Sequence, residues 1–172
     1  MSENNRKQRI GILLVVIIPV FIAAIYVGNL VSNQAIEQPI AFNHKKHIDA
    51  GLECIDCHRY YKTQSNSGRP TLQICMDCHS GPSKNPEEQK IGNFAEQKTE
   101  IPWNRIYRMP DHVRFSHRLH TQIAKINCEK CHGNMAEQTK PPPRPLVSQT
   151  MQFCIDCHEE THANVDCLAC HT

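Results

Sequence analysis

Apolar residues are spread very unevenly along these 172 residues. From Ile10 to Val31 every position is apolar or small except Asn29. That run is about 22 residues, or ~33 Å as a helix, which is enough to cross a bilayer. Arg6, Lys7 and Arg9 stand directly before it and no basic cluster follows directly. The positive-inside rule then predicts a cytoplasmic tail at residues 1–9 and everything after the run on the outer side of the membrane. A cleaved signal peptide is the competing reading, but the run is longer than an ordinary signal core. Gly28 to Asn33 also contains no Ala-x-Ala cleavage site. The expectation is an uncleaved single-pass anchor at 10–31, with Pro19 tolerated inside it.

Beyond residue 31 the pattern predicts short helices, long ordered loops and little β structure, and part of it occurs twice. Phe42-Asn-His44-Lys-Lys-His47 is followed by Cys54, 12 residues after the phenylalanine. Phe115-Ser-His117-Arg-Leu-His120 is followed by Cys128, 13 residues after its phenylalanine. Thr71-Leu-Gln-Ile-Cys75-Met-Asp-Cys-His is matched by Thr150-Met-Gln-Phe-Cys154-Ile-Asp-Cys-His. The chain therefore reads as two copies of one unit, Ile40–Ser80 and Val113–Glu159, plus a short tail. Domain boundaries follow at 32–112, which includes a connector, and 113–172. The connector, Gly81 to Asp111, is polar and reads as surface loop or a short helix. Pro141, Pro142, Pro143 and Pro145 impose an extended segment on the second unit.

Chemistry enters with the cysteines. All ten fall in five copies of Cys-x-x-Cys-His: Cys54/Cys57/His58, Cys75/Cys78/His79, Cys128/Cys131/His132, Cys154/Cys157/His158 and Cys167/Cys170/His171. This is the attachment pattern of c-type haem, in which two thiols bond the porphyrin vinyl groups and the adjacent histidine ligates the iron. A zinc site would not need histidine at the same offset each time, and a disulfide framework would not hold the cysteine spacing at two. Five haem c groups are expected. Their attachment outside the cytoplasm agrees with a single-pass placement in a bacterial plasma membrane, N-terminus inside and haem domain on the periplasmic side.

The haems change two compositional readings. The chain holds only five Phe, four Tyr and one Trp, so a segment of this length is short of large core side chains. Porphyrins supply the missing interior, and the segment is expected to depend on them for folding. The one aromatic-rich stretch outside the motifs, Ile101-Pro-Trp103-Asn-Arg-Ile-Tyr107, reads either as a cover over a porphyrin edge or as a docking surface. The formal charge of +2 comes from residues before the apolar run. With ionised propionates, five haems bring about −5 oxidised and about −10 reduced, so the haem domain is acidic in operation and a nucleic-acid role has no support.

Six histidines lie outside the motifs: His44, His47, His112, His117, His120 and His162. In Phe-x-His-x-x-His the two imidazoles share a helical face but are displaced along it, so each can reach a different iron. The expected distal ligands are His44 for the haem at His58 and His117 for the haem at His132. His47 and His120 would serve those at His79 and His158. His162 is the candidate for the haem at His171, nine residues on. His112 is then spare, or takes the haem at His79 and frees His47 for another site. Methionine is the other possible sixth ligand. Met151 stands closest to a motif, but its counterpart in the first unit is Leu72, which favours an apolar contact; Met109 and Met135 are weaker candidates.

Phe-x-His-x-x-His before Cys-x-x-Cys-His resembles the class III cytochromes of the c3 and c7 type, where the first histidine serves the following haem and the second another. With the N-terminal apolar run and Met109-Pro-Asp-His112-Val-Arg-Phe-Ser-His117-Arg-Leu-His120, the chain is similar to the pentahaem subunits of alternative complex III and of the related quinone reductase complex. The resemblance implies an electron-transfer subunit rather than an enzyme in its own right. It implies three kinds of partner: an iron–sulfur subunit of the molybdopterin-oxidoreductase type, polytopic membrane subunits carrying the quinol site, and a monohaem cytochrome c or oxidase. Two alternatives are a small membrane-anchored quinol dehydrogenase and a multihaem reductase of nitrite, hydroxylamine or sulfite. The first lacks the duplicated histidine pattern, and the second needs an iron with an open distal position.

Overall fold

In the computed structural model, which describes residues 16–28 and 35–172, the chain divides into two units, Met1–Ala35 and Ile36–Thr172. The first contributes one described element, helix α1 at residues 16–28. Its length corrects the expectation of a transmembrane anchor. Thirteen helical residues rise only about 20 Å, against a hydrocarbon core of about 30 Å. Among the described residues no helix is long and apolar enough to cross a membrane. The expected tail at 1–9 and residues 10–15 and 29–31 of the expected span lie outside the described residues. The single-pass fold, and the plasma-membrane placement with N-terminus inside and haem domain outside that was built on it, therefore do not stand.

The second unit is helical in short pieces. Its α-helices are α2 (His44–Asp49), α3 (Cys54–Cys57), α4 (Leu72–Met76), α5 (Pro86–Glu96), α6 (Cys128–His132), α7 (Met151–Glu160) and α8 (Cys167–Cys170). A π turn at Leu119–Ile123 and a 3₁₀ turn at Met135–Glu137 complete it. Among the described residues the isolated β-bridge is one antiparallel pair, Val113 with His171.

Polar side chains start most of these pieces. Asn43 accepts from Lys46 N–H at the start of α2, Asn127 from Glu129 N–H at α6, Thr150 from Phe153 N–H at α7 and Asp166 from Leu168 N–H at α8. Such caps satisfy amides that a four- to six-residue helix could not pair internally.

The two repeats fold alike. Phe42 stands edge-on to His44 (4.8 Å, 85°) and stacks on His47 (4.4 Å, 25°). Phe115 does the same with His117 (4.9 Å, 87°) and His120 (4.6 Å, 27°). The second copy has one more residue between phenylalanine and cysteine, and the π turn absorbs it: Ala124 N–H reaches back to Leu119 O. After that turn the copies are in register again, with Gly51 (φ 90°) and Lys125 (φ 55°) both left-handed three residues before their cysteines.

Apolar burial is scant. Ile40, Ile91 and Ile101 are the buried hydrophobic residues, with Leu72, Cys75, Met76, Phe94 and Trp103 packed around them. Ile91 comes from α5, so the polar connector supplies part of the core. Asn85 caps that helix and Pro86 opens it, the position where a missing N–H costs nothing.

Candidate haem sites

Each motif forms a single helical turn that carries the first cysteine and the histidine to one face. The histidine amide closes the turn on the first cysteine's carbonyl, at 2.8 Å for His58 to Cys54, 2.8 Å for His79 to Cys75 and 2.9 Å for His171 to Cys167. All ten thiols are unpaired, and in every motif one cysteine is exposed and the other half-buried. Desolvation pushes the thiols of Cys54, Cys57, Cys75, Cys131 and Cys154 up from their ordinary value.

Histidines of the motifs stand opposite histidines from outside them. Ring centroids are 6.1 Å apart for His47 and His79, 6.3 Å for His117 and His132, and 6.1 Å for His120 and His158. His112 faces His171 at 5.4 Å, nearly parallel at 19°. The His44 side chain is buried beside His58, and its pKa is pushed down to about 4, first by desolvation and then by His58 and His47. His117 and His132 are lowered too, by burial first. A neutral imidazole is the form that binds a metal. His162 has φ 54° and is exposed, and among the described residues no ring packs against it.

Backbone carbonyls orient many of these rings. Nδ1 lies 2.8 Å from Asn43 O in His47, 2.8 Å from Ser65 O in His117, 2.8 Å from Ser116 O in His120 and 2.7 Å from Asn164 O in His158. In His58 it lies 3.3 Å from Gly68 O. A carbonyl only accepts, so Nδ1 carries the proton and the Nε2 lone pair faces the other way, free for a metal. His79 instead has Glu88 of α5 at 3.8 Å from Nδ1. These partners were outside the reach of motif reading, because a carbonyl's role depends on backbone direction and not on residue type. Tyr107 was flagged only as part of an aromatic stretch. Its ring meets His132 edge-on at 4.6 Å, and its hydroxyl donates to His132 O and accepts from Leu146 N–H. Met151 opens α7 and is 65% exposed.

The arrangement fits haem on three observations. Two imidazoles bound on opposite sides of one iron, with metal–nitrogen bonds of about 2 Å, have ring centres roughly 6 Å apart, which is the spacing seen. Large apolar side chains near the motifs, among them Leu119, Ile123, Val165 and Leu168, lie exposed as if awaiting a flat apolar cover. The His44 Nδ1 and Trp103 Nε1 atoms are buried without a protein partner, which leaves polar atoms for a bound group to satisfy. A zinc reading fits poorly, since among the described residues no three Cys, His, Asp or Glu side chains converge on a metal-sized point.

Gly68 supports this site through its backbone. Its φ is 76°, its carbonyl faces His58 Nδ1, and a Cβ there would sit 2.5 Å from Tyr60 Cδ2. Gly68→Ala is expected to lower stability by about 1–3 kcal/mol, read as a lower guanidinium midpoint of the haem-loaded protein. An unchanged midpoint would show that the loop shifts without cost.

Comparison with known proteins gives the same answer from an independent direction. Residues 25–101 match the class III cytochrome c family and residues 113–172 match the family of cytochrome c7 and related cytochrome c. Over 161 residues the chain is 33% identical to the menaquinone reductase, multihaem cytochrome c subunit, of Nitratidesulfovibrio vulgaris (strain Hildenborough), covering 78% of this chain and 77% of that protein. With its repeated Cys-x-x-Cys-His turns and facing imidazoles, this chain belongs to the multihaem c-type cytochromes of the class III and c7 kind, electron carriers built on covalently bound haem.

Proposed function

We propose that this chain carries five haems and serves as the electron-relay subunit of a menaquinone-reductase-type respiratory complex. The observation that supports it most is the set of four facing histidine pairs, each joining a motif histidine to one from outside the motifs. Bound haem supplies one reversible electron at each iron. The chain's own residues do the rest: the thiols fix each porphyrin, the carbonyls set the imidazole tautomers, and paired imidazoles leave no axial position for a substrate.

The assignment is His58 with His44, His79 with His47, His132 with His117, His158 with His120 and His171 with His112. His112 takes the place considered for His162 because the C-terminal tail returns to it. Thr172 N–H donates to His112 O at 3.0 Å, and Arg114 N–H to Cys170 O at 2.7 Å. The quinone direction follows the relative, whose name is that of a menaquinone reductase. Expected neighbours are an iron–sulfur subunit of the molybdopterin-oxidoreductase type and polytopic quinone-binding subunits, with a monohaem cytochrome c exchanging electrons.

Intact-mass measurement of the matured protein should show five covalent haems, and its ferric spectrum should be almost wholly low-spin, because imidazole on both sides is a strong field. Fewer than five haems, or a large high-spin fraction, would replace the relay with a site open to substrate.

A further inference from the structure

The two repeats do more than resemble each other; they grip each other reciprocally. Lys45 N–H in α2 donates to Gln138 O at 3.1 Å, and Arg118 N–H donates to Gln64 O at 3.2 Å. Lys45 and Arg118 each follow the first histidine of their Phe-x-His-x-x-His. Gln64 and Gln138 each lie six residues past their motif histidine. Equivalent atoms thus meet equivalent atoms across the boundary, as residues i and j exchange roles across a twofold axis.

Cysteines at equivalent positions meet as well, the Cys54 thiol lying against the Cys128 thiol. Both are the first cysteine of their unit, so the pseudo-twofold axis passes between the first and third motifs. On either side, the paired histidines hand over to the outer motif of the same unit. α2 carries His44 toward His58 and His47 toward His79. The second copy carries His117 to His132 and His120 to His158. Cys57 has Cys78 within electrostatic reach, and Cys131 has Cys157 and Cys154. The symmetry breaks at one end only. The tail adds the fifth motif there, with Cys170 near Cys154, and the β-bridge of His171 to Val113 ties it down.

We infer that the reciprocal Lys45–Gln138 and Arg118–Gln64 contacts set the five haem sites in the order second, first, third, fourth, fifth, so that the second and fifth motifs are the ends at which partners exchange electrons. The order differs from chain order because the duplicated units join back to back through their first sites. This rests on the relay reading above, and it adds which sites face the partners and which are internal.

Redox titration of the matured full-length protein followed by NMR of the haem methyl groups tests it, since reducing one haem shifts the midpoint of its nearest neighbours most. The strongest pairwise interactions are expected for second–first, first–third, third–fourth and fourth–fifth. If all five haems are low-spin but second–third or first–fifth outranks these, the order is wrong and the relay stands. If a haem is absent or high-spin, the relay reading fails and the order falls with it.

Discussion

Made without haem, Ile36–Thr172 is expected to lose its fold altogether and not to relax into a looser version of it. Its buried apolar residues are Ile40, Ile91 and Ile101, each contributing on the order of 1.5–3 kcal/mol when fully buried. That is small against the conformational entropy of ordering so long a segment. Nor can its helices stand alone: α3 and α8 have four residues and α2 has six, far below the roughly 12–15 at which isolated helices become even marginal in water. The exposed Leu119, Ile123, Met151 and Leu168 find burial only against porphyrin, and the facing imidazoles are held together only by iron. Protein expressed without haem attachment should therefore give a coil-like far-UV circular dichroism spectrum and be digested at every accessible site. A cooperative unfolding transition in that material would show that the polypeptide carries its own core.

Much of this site was legible in the residues because covalent haem chemistry writes itself locally. Cys-x-x-Cys-His is one helical turn, and the thiols and imidazole it must present are consecutive in the chain. Phe-x-His-x-x-His is likewise local, and its duplication made the pairing of His47 with His79 and of His120 with His158 readable from register alone. Where the partner is distant, local pattern was silent. His112 is joined to His171 by a bridge across 58 residues between Val113 and His171, and nothing near either residue announces it. His162 stood closer in sequence and so looked the better candidate.

Physical reasons also account for what was misread. The apolar run at the N-terminus satisfies a composition test for a membrane span, but spanning needs continuous helix length, and the described helix covers residues 16–28. The connector was read from its charged residues as surface. In an amphipathic helix one buried face suffices, and Ile91 of α5 provides it beside Ile40 and Ile101. The extra residue in the second repeat gave no hint of its fate, because a π turn and a longer loop accommodate one residue equally well in sequence terms.

Replacing His112 with alanine should turn one haem of the five high-spin, while replacing His162 should leave all five low-spin. The expectation follows from how the two residues are held. His112 sits where the chain doubles back on itself, with Thr172 N–H bonded to its carbonyl and its ring stacked on His171 at 5.4 Å. Three backbone contacts between 112–114 and 170–172 hold that geometry whether or not the ring is present, so His112→Ala removes a ligand without freeing the tail. His162 lies in a left-handed turn (φ 54°) after α7 with its side chain exposed. The Ala163 amide of that same turn bonds back to His158 O at 2.7 Å. Electron paramagnetic resonance of the ferric protein separates the outcomes, since loss of one strong-field imidazole gives a high-spin signal that added imidazole should abolish. Haem attachment should be unaffected in both variants, because it needs only the thiols. A high-spin signal in His162→Ala together with none in His112→Ala would transfer the fifth iron to His162 and make the His112–His171 stack a packing contact.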